Sequence, residues 1–110
     1  MQASDSLELK TALDRVWTDN IELTRSRLAI VESAVIAASS RRLDAALATS
    51  AADAAHKLAG TLGSFGLSQG TSDARRMEEL FESYTGANPM DEAELRARFE
   101  SLSAAIASRA

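Results

Sequence analysis

The stretch Leu43-Asp-Ala-Ala-Leu47-Ala-Thr-Ser-Ala51-Ala-Asp-Ala54-Ala-His56-Lys-Leu58-Ala-Gly60-Thr-Leu62-Gly63-Ser-Phe65 decides the fold. Its apolar residues Leu43, Leu47, Ala51, Ala54, Leu58, Leu62 and Phe65 recur in steps of four and three. That spacing lays one stripe along an α-helix and has no counterpart in a β-strand, where apolar residues alternate. Outward toward the N-terminus the same steps return in Trp17, Ile21, Leu28, Val31, Val35 and Ala38, with polar Thr24 filling one slot. This predicts a long amphipathic helix that breaks at Ser39-Ser40. Asp5 with Glu8 reads as a capping box ahead of it, and Asp19 with Glu22 either restarts the helix or decorates a continuous one.

Toward the C-terminus, Gly66 to Gly70 interrupts the pattern. A third helix then turns Ala74, Met77, Leu80, Phe81 and Tyr84 inward and stops at Gly86-Ala-Asn-Pro89. The last helix has Asp91 as cap, Glu94 completing a capping box and Met90 positioned to staple against Leu95. Its stripe is Leu95, Phe99, Leu102 and Ile106. β-Branched residues are sparse, and no Asn-Gly or Asp-Gly hairpin turn occurs. The expected fold is all-α: an antiparallel four-helix bundle, with room for a short extra N-terminal helix or extension, over residues 1–110 as a single domain.

Composition narrows the function. The chain has 110 residues and no Cys, which removes disulfide frameworks, thiolate metal sites and Cys nucleophiles. Its net charge is −4 with acids and bases interspersed, a poor match to nucleic acid, whose binding demands phosphate neutralisation. No run approaches the roughly 20 apolar residues of a membrane span, and the N-terminus lacks a secretory pattern. A cytoplasmic address and protein partners are expected, with no membrane and no nucleic acid. Asp44, Asp53 and Asp73 are scattered, so no metal site is expected.

The one His of the chain stands apart. At about 100° per residue, His56 faces about 200° away from Ala54 and Leu58, so it is an exposed imidazole. One and two turns away lie Thr49, Ala52, Asp53, Ala59, Gly60 and Gly63, which leave the helix surface nearly bare. Glycine inside a helix costs about 1 kcal/mol against alanine. Two readings of Gly60 and Gly63 stand open: a second protein approaches the backbone beside the His, or another helix of the same bundle packs closely.

The string His56-Lys-Leu-Ala-Gly60-Thr-Leu-Gly63-Ser-Phe-Gly66-Leu67 resembles the signature of the histidine phosphotransfer (HPt) family. Ala74-Arg-Arg-Met-Glu78 is similar to the third-helix segment of that family. The resemblance implies a phosphorelay intermediate that accepts and donates a phosphoryl group on His56, exchanging it with a receiver-domain aspartate or taking it from a histidine kinase. Such a protein is more a relay substrate than a stand-alone enzyme, and the resemblance places Mg²⁺ in the partner receiver domain. Glu78 matches the third-helix residue that hydrogen-bonds the other ring nitrogen in some members. Many members carry Lys three residues after the His, where this chain has Ala59. Lys57 and Arg75 are the candidates for phosphate or docking contacts in its place. Ala52, Ala59, Gly60 and Gly63 are the expected close-approach surface. The alternatives are a non-catalytic helical interaction or dimerisation module with an incidental His, and an HPt-like input domain of a chemotaxis-type kinase.

Overall fold

The computed structural model describes residues 3–86 and 90–109, with side chains from Ser6 onward. The described residues form four helices and no strands. Helix α1 spans Ala3–Ser39, α2 Ala45–Ser64, α3 Ser68–Glu82 and α4 Glu92–Arg109. Contacts run α1 to α2, α2 to α3, α3 to α4, and α4 back to α1. This is the up-down-up-down ring that short links impose. The all-α four-helix bundle read from the stripes is the fold observed.

The stripes meet in one core. Leu58, Leu62, Met77, Phe81, Leu95, Leu102 and Val31 are its largest fully buried apolar side chains. Thr24 fills its slot as a buried residue, while Ile21, Leu28 and Phe99 pack on the core from its edge. Trp17 closes one end, edge-on to Phe65 with ring centroids 5.0 Å apart. The Arg109 guanidinium lies 5.5 Å from the Trp17 ring centroid and bonds Asp14 at 2.9 Å.

The helix ends follow local rules. At the end of α1 the Arg42 N–H donates to the Ala37 carbonyl and the Arg41 N–H to that of Ala38, a Schellman closure. Arg41 occupies its left-handed position at φ 57°, where glycine is usual. The end of α2 repeats the closure, with Leu67 donating to Leu62, Gly66 to Gly63, and Gly66 at φ 72°. Asp44 caps α2 by accepting from the Leu47 N–H at 2.8 Å. Tyr84, half-buried just past α3, donates its hydroxyl to the Leu43 carbonyl at 2.6 Å and ties the two links together.

Three expectations change. Among the described residues no short extra helix stands before α1, whose first turns run from Ala3, and Asp19 and Glu22 decorate a continuous helix. Asp5 therefore falls inside α1 instead of capping it. At α4, Asp91 accepts from the Glu94 N–H at 3.0 Å, but the Glu94 carboxylate turns to Arg76, with both bonds at 2.7 Å. A cation within reach on α3 outcompetes the neutral backbone N–H for that carboxylate. The stop expected at Gly86-Ala-Asn-Pro89 lies mostly outside the described residues, since only Gly86 of it is described.

Candidate functional site

Helix α2 is flanked by α1 and α3, so it buries an arc of about 160°, wider than a single stripe. Ala48, Ala51, Ala52, Ala55 and Ala59 fill much of that arc with small side chains. Small residues let a neighbouring helix come close, and α3 does so on the side where Ala52 and Ala59 lie. His56 sits just beyond the edge of the buried arc, with its side chain 71% exposed. Across the seam, Glu78 projects from α3 and accepts from His56 Nδ1 at 3.0 Å through Oε2 and 3.2 Å through Oε1.

That contact sets the chemistry of the ring. A carboxylate can only accept, so Nδ1 carries the hydrogen, and in the neutral imidazole Nε2 then has the free lone pair. Glu78 is itself mostly covered, at 20% side-chain exposure, so the orienting partner is fixed while the ring it holds stays open. Thr49, Ala52, Asp53, Phe81 and Glu82 join the pair in lining a shallow groove of about 530 Å³ on the N-terminal side of His56.

The glycines divide into different roles. A Cβ at Gly60 meets nothing within 4 Å, and one at Gly63 meets only Thr71, at 3.8 Å. Neither glycine is needed for packing within the bundle, which removes one of the two readings of the sequence. Gly70 supplies the close packing instead: a Cβ there would lie 3.0 Å from Leu62 Cδ1 and 3.1 Å from Ala105 Cβ.

The residues expected to form the close-approach surface divide by burial. Gly60 and Gly63 are exposed beside His56, whereas Ala52 and Ala59 are buried in the core. A one-stripe view of α2 put both alanines outside; the approach of α3 covers them. Lys57 also lies off the ring, because its Nζ pairs with Asp53 Oδ2 at 2.8 Å one turn earlier on α2. The Lys57 hydrogen bond holds the Asp53 carboxyl below the ordinary range, with weaker help from the charge of Arg27. Arg75 shares the face of α3 that carries Glu78, one turn earlier. It borders a second shallow cleft of about 520 Å³ with Gly63 and Thr71.

Two features escaped the sequence reading. Asp53 reads there as a lone acid, yet it is the partner of Lys57; the i,i+4 spacing was the signal. Glu82 was not singled out, although it stands one turn beyond Glu78 and lines the same groove. Among the described residues, no three His, Asp or Glu side chains are grouped to hold a metal ion.

The family model of the Hpt domain matches residues 15–108. No curated protein and no solved structure matches the chain. The matched segment takes in all of α2 and α3, including the His56–Glu78 pair and the bare surface around it. With most of its length matched and the four-helix architecture in place, the chain belongs to the Hpt domain family.

Proposed function

We propose that this chain relays phosphoryl groups through His56, accepting from and donating to the aspartate of a receiver domain, or accepting from a histidine kinase. The observation that carries the reading is the exposed imidazole whose Nδ1 is held by Glu78, leaving Nε2 open beside a surface kept bare by Gly60. In the forward step, Nε2 attacks the phosphorus of an aspartyl phosphate. The N–P bond forms as the acyl O–P bond breaks, and the aspartate leaves as a carboxylate. Nδ1 keeps its proton, and Glu78 stabilises the positive charge that develops on the ring, as an orienting carboxylate does in other nucleophile–base pairs. Mg²⁺ held in the acidic pocket of the receiver would supply the neutralisation of charge on the transferring group.

Arg75 is the residue best placed to stand in for the missing Lys at position 59, since it shares the Glu78 face while Lys57 is engaged with Asp53. Family members work on receiver domains and kinases inside the cell, and a cytoplasmic site of action is part of the proposal. Among the described residues, no helix is long and apolar enough to cross a membrane.

Incubation with a phosphorylated receiver domain tests the reading. The wild-type chain should gain an acid-labile, base-stable phosphate, and His56→Gln should gain none while keeping its helical circular dichroism spectrum. Phosphate on the Gln variant would overturn the assignment, and loss of its fold would make His56 a structural residue.

A further inference from the structure

Helix α1 carries two apolar stripes, and the bundle uses only one. The inner stripe starts at Trp17 and packs on the core. The outer one lies one residue earlier at each step, about 100° around the helix. It runs Leu9, Leu13, Val16, Asn20, Leu23, in unbroken alternation of four and three. These side chains are bare: Leu9 is 59% exposed, Leu13 38%, Val16 48% and Leu23 48%. Further along, the same face reaches Arg27, whose charge acts on Asp53 of α2, then Ile30, and it enters the core at fully buried Ala34. The stripe is thus the bare continuation of a face that the bundle itself packs at the other end of α1.

The helix also outruns its neighbours. The Asp14–Arg109 pair and the Trp17–Phe65 stack mark the level at which α2 and α4 end. Residues 3–13 continue past it for about 16 Å. A single helix of that length is marginal in water unless an apolar face is covered. With Ile30, the outer stripe leaves roughly 400 Å² of apolar surface on each copy, the size of the largest patch on a typical monomer and often a functional one.

We infer that this face pairs with the same face of a second copy of the chain, as a short, parallel, in-register two-stranded coiled coil. The period of 3.5 is that of a helix–helix seam, and Leu9, Val16 and Leu23 then fall at d with Leu13 and Asn20 at a. A single Asn at an a position suits facing an identical Asn across a two-fold axis, and disfavours other registers. Arg27, the next a position, is charged and ends the unbroken apolar run. His56 bonds Glu78 of α3 and is not one of the seam residues. The inference stands apart from the phosphoryl chemistry.

Sedimentation of the full chain between about 1 and 500 µM tests it, a range suited to a short seam. The weight-average mass should rise toward twice that of the single chain. Leu13→Glu should hold it at one throughout, with the helical spectrum and the rate of phosphoryl transfer unchanged. In an Asn20→Cys protein, oxidation should link the two copies through residue 20. A mass that stays at one over the whole range overturns the inference, and so does a dimer that survives Leu13→Glu. Dimers that fail to cross-link at residue 20 overturn the in-register pairing. A monomer in which Leu13→Glu slows transfer would assign the stripe to the relay partner instead of a second copy.

Discussion

Replacing Gly60 by alanine should raise stability, and replacing it by arginine should stop the relay. Gly60 sits in the interior of α2, and a Cβ there meets no atom within 4 Å, so nothing offsets the gain in helix propensity of about 1 kcal/mol. Gly63→Ala should add a similar amount, because Thr71 at 3.8 Å is in ordinary contact distance. For a domain of this size, each kcal/mol moves the melting temperature by about 4 °C, toward the low end of the range for small domains. Gly60→Arg retains most of the propensity gain but sets a long cationic side chain one turn from His56. Transfer from a phosphorylated receiver should then fall at least about tenfold, equivalent to about 1.4 kcal/mol in the barrier. Thermal melts and a time course of phosphate arrival on the same proteins read both effects. A Gly60→Ala protein that melts below the parent would show that the bundle needs the glycine. A Gly60→Arg protein that transfers at the parental rate would show that no partner approaches there.

Three further outcomes test other parts of the structure. Glu78→Ala should slow transfer by about tenfold, near 1.4 kcal/mol, and shift the ¹⁵N resonances of His56 away from the Nδ1–H tautomer; unchanged tautomer signals would mean that the two side chains do not interact in solution. The Arg76 hydrogen bonds hold the Glu94 carboxyl below its ordinary range, aided by the charge of Arg98. The unfolded chain therefore binds that proton at higher pH than the folded one, and the stabilisation is complete above the usual glutamate pKa of about 4.3 and lost as pH falls through the folded value. Arg76→Gln should accordingly lower the melting temperature at neutral pH and flatten its fall below about pH 4, and parallel melting curves across pH would refute the coupling. Arg41→Gly should stabilise by about 0.5 kcal/mol, since relief of the left-handed strain exceeds the added freedom of the unfolded chain; a lower midpoint in a urea titration would count against strain at that position.

The helices and the exposed His were legible in the sequence because both depend on local periodicity. Steps of four and three fix which residues of a helix share a face, whatever that face meets, so Leu58, Leu62, Met77 and Leu102 could be assigned inward from spacing alone. His56 could be assigned outward by the same rule, and Glu78 could be matched to it only through resemblance to a family motif. Periodicity does not say how many neighbours a helix has. Ala52 and Ala59 were misread for that reason: α2 is covered from two sides, and alanines at the flank of its stripe are buried by α3. The purpose of the glycines was equally out of reach. Gly60, Gly63 and Gly70 look alike as letters, and only the space around each separates the bare surface of the first two from the tight approach of α3 to α2 and α4 at the third. The choice of Arg76 by Glu94 was decided by which opposite charges the fold brings within about 3 Å, where a charge-assisted hydrogen bond outweighs other contacts. What the chain determined by itself is therefore everything that one helix can express alone; what the tertiary structure decided is which of those faces another helix covers.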